Sequence, residues 1–188
     1  MTYLIDPANI TNFNLSKDEL ELQILFWVCA AGKNGTKSAQ YLNNLLFEWS
    51  DKTNLISPFE IVKQIPLLPY EMFRKGIGCY NIKSKTFLSL SNSNLDLKIC
   101  SVEDLEEIKG IGPKTARGFI LHTRPSQRLA CLDTHLLKFM AERGYSVPKS
   151  TPTGNKYKQI EQNFLSVADS LNKSPSELDL EIWNSYKK

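Results

Sequence analysis

LEEIKGIGPKTARGFI, residues Leu105 to Ile120, is the stretch from which the fold of this chain is read. Two glycines, Gly110 and Gly112, stand between a segment that opens on Ser101-Val-Glu-Asp104 and one that opens on Pro113. A serine with an acidic residue three positions on caps a helix, and proline suits the first helical position, where its missing N–H would have no partner. The segment therefore reads as a tight hairpin between two helices. Glycine there meets unusual φ values and lets the backbone approach a neighbour closely. The amides of Gly110, Ile111, Gly112 and Lys114 are expected to point out of the hairpin and of the second helix's N-terminus. Such a cluster of donors at the positive end of a helix dipole suits a phosphate. Lys109, Lys114 and Arg117 add positive charge nearby. On spacing alone, an ordinary corner between two helices stays equally open.

Helix signals also dominate on either side. Ser16-Lys-Asp-Glu19 forms a capping box before an apolar run from Leu20 to Ala31, which leaves little polar face and implies a buried helix. Gly32 and Gly35 interrupt the chain before SAQYLNNLLFEW, and Ser57-Pro58 opens another helix. Pro66 and Pro69 bracket a break, NIKSKTFLSLS is a short helix, and SNSNLDLKIC is a polar linker. Beyond the hairpin, Asp133 or Thr134 caps THLLKFMAER. NKYKQIEQNFLSVADSL is a long helix, and Ser174-Pro175 opens a final one through Trp183. No alternating strand pattern, low-complexity tract or internal repeat is present. The expected fold is all-α, with nine or ten short helices.

Composition narrows the class of protein. The chain has 188 residues, 41% hydrophobic and 23% charged, which is the balance of a soluble globular domain able to bury a core. A formal charge of +3 is too small to establish nucleic-acid binding in bulk, so any such face requires local clustering of basic groups. Cys29, Cys79, Cys100 and Cys131 are widely spaced and form no CxxC pair. Zinc and iron–sulfur ligation therefore get little support, and buried reduced thiols are expected. The N-terminus lacks a signal-peptide layout and no apolar run reaches membrane-spanning length, so an intracellular location with no targeting signal is expected.

Two further motifs bracket the hairpin. Upstream lies GIGCYNIKSK, Gly76 to Lys85. Downstream, Cys131-Leu-Asp133-Thr-His135 places a carboxylate nineteen positions after Lys114. GIGPKTA resembles the helix-hairpin-helix signature of the DNA glycosylases in the endonuclease III and 8-oxoguanine glycosylase superfamily. In that family a lysine follows the second glycine by two positions, and an aspartate follows in a V/L-D-x-H segment. The upstream motif is similar to that family's IG-x-YN-x-K-A helix start. The three matches occur in order across about residues 76 to 140.

The chemistry of the residues agrees with this resemblance. A lysine displaces a base from a deoxyribose only as the neutral amine, and both a cleft and a helix N-terminus disfavour the ammonium. A carboxylate at Asp133 can stabilise oxocarbenium character at C1′ and help activate the amine; the same residue is equally fit to cap its helix. The resemblance implies a bifunctional glycosylase and AP lyase acting through a Lys114 Schiff base and β-elimination, with double-stranded DNA containing a damaged base as partner and a monomeric state. It implies two helical lobes flanking a DNA-binding cleft. One would run from residue 28 to 127 and contain the hairpin at about 102 to 122. The other would combine residues 1–27 with 128–188.

The remaining assignments follow from the same resemblance. His135 either contacts a phosphate or packs within its helix, packing being favoured, and His122 is read as structural. Lys33 and Asn34, in the bend GKNG, are candidates to fill the gap left by a flipped nucleotide. The backbone carbonyls of Glu106, Ile108 and Ile111 match positions that hold a monovalent cation. The family's four-cysteine cluster near the C-terminus has no counterpart after Cys131, so no iron–sulfur cluster and no other cofactor is expected. Retention of the lysine argues against the adenine and alkylated-base branches and leaves the compact 8-oxoguanine enzymes. In those the C-terminal tail reads the lesion, making Trp183, Tyr186, Lys187 and Lys188 candidates, with core packing equally open for Trp183. Removal of an oxidised pyrimidine and a non-catalytic DNA-binding module are the two alternatives.

Overall fold

The computed structural model describes residues 4–186. Its elements are a 3-10 turn, Pro7–Asn9, and ten helices: α1 Lys17–Ala30, α2 Gly35–Thr53, α3 Pro58–Gln64, α4 Leu68–Arg74, α5 Tyr80–Ser91, α6 Val102–Glu106, α7 Pro113–Thr123, α8 Thr134–Glu142, α9 Gly154–Ser170 and α10 Pro175–Tyr186. No strand occurs among the described residues, and no helix there is long and apolar enough to cross a membrane. The all-α expectation holds.

The chain divides into two compact units. The first comprises the residues through Pro7 with Asn14–Gly112; the second comprises Ala8–Phe13 with Pro113 onward. These boundaries differ from the expected lobe of 28–127. Helix α1 belongs with the first unit because it packs on α2, α3 and α5, and α7 belongs with the second because it packs on α10.

In the first unit α1 is buried from Leu20 to Ala30, as its lack of a polar face requires. The Ser16–Glu19 capping box forms, with the Ser16 amide donating to Glu19 at 2.8 Å. Glu21 is also buried, at 2% exposure, and is satisfied by the Ser57 hydroxyl at 2.6 Å and the Phe59 amide at 3.1 Å, both at the start of α3. Buried Lys83 of α5 donates to the Cys29 carbonyl at 2.6 Å, near the C-terminal end of α1.

In the second unit α7 is buried continuously from Thr115 to Thr123. The core below it joins Leu132, Leu136 and Met140 to Tyr157, Phe164 and Ile182. Tyr157 Oη donates to the Ala130 carbonyl at 2.6 Å and accepts from the Leu132 amide at 3.2 Å, which fixes the irregular segment before α8. The segment Ala8–Phe13 is tied in at both ends. The Asn12 amide donates to the His122 carbonyl at 3.0 Å, and Asn184 donates to the Ala8 carbonyl at 3.3 Å.

Candidate catalytic site

The hairpin forms at the expected place, tighter than a continuous helix would make it. Helix α6 stops at Glu106, and the chain closes by two short-range bonds, Ile108 amide to Leu105 carbonyl at 3.1 Å and Ile111 amide to Ile108 carbonyl at 2.9 Å. Gly110 has φ +101, and a Cβ there would lie 2.1 Å from the Thr86 hydroxyl oxygen. That hydroxyl donates to the Lys109 carbonyl at 2.9 Å, so α5 holds the turn through the residue just after the upstream motif. Glycine is obligatory at Gly110 on both counts. Gly112 has no positive φ, and a Cβ there would meet nothing within 4 Å, which leaves its surface open for an approaching group. The Ile111 amide is a correction to the sequence reading. Its donor is spent inside the turn and the residue is 5% exposed, so it supports the hairpin from within. Gly110 and Lys109 are exposed.

Lys114 follows at the second position of α7 and is partly buried. Asp133 caps α8, and its Oδ1 accepts the amides of His135 and Leu136, both at 2.9 Å. One carboxylate oxygen is thus anchored by backbone donors, and the charge is held at the helix's positive end. Both residues lie in the second unit, together with Cys131 and Asp179. The electrostatics of this group are shared. Burial pushes the Cys131 thiol well above its ordinary range; the Lys114 charge opposes this, and Asp179 and Asp133 add to it. The Asp179 carboxyl is raised by burial, with the His122 hydrogen bond and the Lys114 charge opposing and Asp133 adding. Lys114 and Asp133 thus act on the same two neighbours, within one field.

Arg117, expected on a phosphate-binding face, is instead 8% exposed and turned into the core. Its Nε donates to Glu161 Oε1 at 3.1 Å, and its guanidinium lies 4.6 Å from the Tyr157 ring centroid. Glu161 also accepts the Ala130 amide at 2.9 Å. A charge this deep needs a partner and further hydrogen bonds, and both are present. Its neighbours Thr115, Ala116, Gly118 and Phe119 are buried with it.

The His135 ring stacks on Tyr186 of α10, not within its own helix, at a centroid distance of 6.2 Å with 19° between planes. Tyr186 is engaged further: its hydroxyl donates to Glu142, and Lys138 Nζ lies 4.7 Å from its ring. The ring that was expected to serve as an open stacking surface therefore braces α8 against α10. Trp183 is partly buried on α10, and Lys187 and Lys188 lie outside the described residues. In the first unit Asn34 caps α2 by accepting the Lys37 amide at 3.0 Å. The Lys33 side chain runs over Gly78, where a Cβ would come within 2.5 Å of its Cε. The bend GKNG and the motif Gly76–Lys85 are thereby brought together. Three of the four cysteines are buried as expected; Cys79, exposed at the start of α5 with φ +57, is the exception.

Sequence reading missed Asp179. His122, taken as structural, is 1% exposed and hydrogen-bonds Asp179 Oδ2 through Nε2 at 3.0 Å, while its Nδ1 meets the Thr11 hydroxyl at 2.7 Å. Nothing local in the sequence links positions 11, 122 and 179; only the fold joins them.

Comparison with known proteins agrees with this geometry. Residues 79–173, just over half of the chain, match the Ogg-HhH family, described as 8-oxoguanine DNA glycosylase. The chain is 36% identical over 129 residues to the 8-oxoguanine DNA glycosylase/AP lyase of Methanocaldococcus jannaschii, a match covering 66% of this chain and 61% of that protein. It is 36% identical over 81 residues to the enzyme of the same name from Metallosphaera sedula, covering 43% and 39%. The matched region therefore spans less than two thirds of either relative. In structure, the chain resembles the M. jannaschii 8-oxoguanine glycosylase/lyase solved with a 15mer DNA containing 8-oxoguanine, with TM-score 0.72, 22% identity, and 96% and 86% of the two chains covered. It also resembles the 8-oxoguanine DNA glycosylase of Thermotoga maritima, with TM-score 0.71, 20% identity, and 96% and 86% covered. A helix-hairpin-helix followed by a lysine in the first turn of its second helix, with an aspartate capping a helix in the same field, is what joins these likenesses to the residues: the chain belongs to the Ogg-HhH family of 8-oxoguanine DNA glycosylases.

Proposed function

We propose that the chain is a bifunctional DNA glycosylase and AP lyase that removes 8-oxoguanine from duplex DNA. The observation that carries this reading is the placement in one unit of Lys114, in the first turn of α7, and Asp133, anchored at the start of α8, both acting on Cys131 and Asp179. The curated relatives bear the same activity in their names.

A base inside the duplex stack cannot meet a half-buried amine, so the nucleotide is flipped out first. The neutral Lys114 amine then attacks C1′. The N–C1′ bond forms as the glycosidic bond breaks, and the base leaves with the bonding electrons and is protonated. Positive charge developing on the sugar is stabilised by the Asp133 carboxylate, whose anchored oxygen needs little reorganisation as that charge appears. Loss of the amine proton and opening of the sugar ring give a Schiff base. Removal of a C2′ proton from it expels the 3′ phosphate by β-elimination. Backbone donors around Gly110 and Gly112 position the phosphate, and Lys109 supplies charge. The carbonyls of Glu106, Ile108 and Ile111 would hold a monovalent cation there, Ile108 through the lone pair that the Ile111 amide does not use.

Borohydride trapping tests this on labelled duplexes carrying 8-oxoguanine, thymine glycol or an abasic site, with wild type beside Lys114→Gln. A lysine-dependent adduct on the 8-oxoguanine duplex is expected. An adduct on thymine glycol but not on 8-oxoguanine would move the substrate to oxidised pyrimidines. Salt-sensitive binding with no adduct on any duplex would leave a DNA-binding module.

A further inference from the structure

The peptide that joins Lys109 to Gly110 is held at one end and open at the other. Its carbonyl, on Lys109, accepts the Thr86 hydroxyl of α5 at 2.9 Å, and among the described residues no other donor meets it. Its N–H, on Gly110, donates to no acceptor among the described residues, and Gly110 is exposed. Thr86 is 1% exposed, so its hydroxyl is withdrawn from water. The hydroxyl also lies 3.2 Å from the Ile82 carbonyl one turn back, the usual resort of a threonine inside a helix. A hydroxyl has one proton, and the shorter contact is the one that crosses to the hairpin. The Ile82 carbonyl is served by the α5 ladder in any case, whereas the Lys109 carbonyl lies outside α6 and α7.

A trans peptide points its C=O and its N–H in opposite directions. By drawing the Lys109 carbonyl toward α5, the Thr86 hydroxyl therefore turns the Gly110 N–H away from α5. Glycine makes the arrangement possible, because at φ +101 a Cβ at position 110 would stand 2.1 Å from that hydroxyl oxygen. We propose that Thr86 is a positioning residue for DNA binding, its hydroxyl fixing the 109–110 peptide so that the Gly110 amide is presented to a backbone phosphate. An amide held in place before DNA arrives loses little freedom on binding. Valine at position 86 removes the donor and leaves the Lys109 carbonyl unpaired. Glycine resists rotation of the peptide only weakly, so the carbonyl turns to water and carries the Gly110 N–H inward. The inference rests on the proposed phosphate role of the hairpin.

Equilibrium binding to a duplex carrying a tetrahydrofuran abasic-site analogue tests this, with wild type, Thr86→Val and Thr86→Ser. Single phosphates of the duplex are replaced in turn by neutral methylphosphonate. Thr86→Val is expected to bind the unmodified duplex about tenfold more weakly, while single-turnover base release at saturating enzyme stays within about twofold of wild type. Thr86→Ser keeps the hydroxyl and the wild-type affinity. At one phosphate, the methylphosphonate that weakens wild type should weaken Thr86→Val no further, whereas at every other phosphate the two losses add. Losses that add at every phosphate would mark Thr86 as purely structural and overturn the proposal. So would a Thr86→Val protein with wild-type affinity, or a Thr86→Ser protein as weak as Thr86→Val. Should Thr86→Val fail to fold, Thr86→Ala is put through the same scan and must give the same single non-additive phosphate. Wild type indifferent to methylphosphonate at every position would overturn the phosphate role of the hairpin and the proposal with it. Borohydride trapping of wild type on an abasic-site duplex reads the lysine chemistry separately, so its failure is distinguished from failure here.

Discussion

Two lysines of this protein show how the same side chain is given opposite tasks. Lys83, in the first unit, is 5% exposed and donates to the Cys29 carbonyl at 2.6 Å, near the negative end of α1. Lys114, in the second unit, stands in the first turn of α7, the positive end of a helix, with carboxyl groups of Asp133 and Asp179 in its field. The first ammonium is stabilised by a helix's carbonyl end and locks α5 to α1. The second stands at the helix end that presents backbone N–H groups rather than carbonyls. Burial by itself therefore does not distinguish the two lysines; the end of the helix each one meets does.

Exchanging each lysine for methionine should separate the two tasks. Lys114→Met is expected to lower base release and strand cleavage by at least about 10³-fold in single-turnover assays, with little change in melting temperature. A variant retaining more than a tenth of wild-type activity would break the comparison. The buried cation that neither removes a proton nor meets DNA comes next. Arg117→Met strands the Glu161 carboxylate in the core and should cost about 3–5 kcal/mol in denaturant unfolding, while the salt dependence of DNA binding stays as in wild type. A reduced salt slope with unchanged stability would return Arg117 to the phosphate-binding face.

Glu161 sharpens this through pH. Burial raises its carboxyl, with the Ala130 amide and Arg117 opposing. A carboxyl raised in the folded state binds more protons there than in the unfolded chain. Its contribution to stability is then greatest below its ordinary value of 4.5 and is lost as pH rises through the folded value. Wild type compared with Glu161→Gln should show this slope in the difference of their unfolding free energies above pH 4.5; parallel curves would show that the pair is effectively solvated.

Lys83→Met should cost less than Arg117→Met, about 1–3 kcal/mol, because it leaves a neutral carbonyl without its donor, and the remaining folded enzyme should keep wild-type trapping kinetics. The smallest effect on stability belongs to Asp133. Asparagine caps as well as aspartate, so Asp133→Asn should match wild type in stability, whereas Asp133→Ala should lose about 1 kcal/mol, both being slow in base release. Equal stability of the asparagine and alanine variants would show that the two amide bonds at 2.9 Å carry no capping energy.

What local rules govern was legible. The Ser16–Glu19 box, Ser57 before Pro58, the Gly110 turn and the Asp133 cap each depend on a few consecutive residues, and each forms as read. Arg117 was misread because charge near a hairpin suggests phosphate, whereas the buried stripe of α7 leads inward to Glu161, 44 residues away in the chain. Tyr186 was a candidate stacking surface through the resemblance of the C-terminal tail; in the structure His135 and Lys138 of α8 lie against its ring. The split between the units was misplaced for a related reason. The nearly all-round apolar surface of α1 shows that the helix is buried but not against what, and α2, α3 and α5 settle that by surrounding it.

By itself, then, the sequence determined the helices, their caps, the hairpin and the pair Lys114 and Asp133, because helix signals act over a few residues and the motif spacing is a property of the chain. Only the tertiary structure decided which of the remaining charges would lie in the core. It joined Thr11, His122 and Asp179 from three distant segments and turned Arg117 away from solvent, since desolvation and pairing depend on neighbours that no local pattern names.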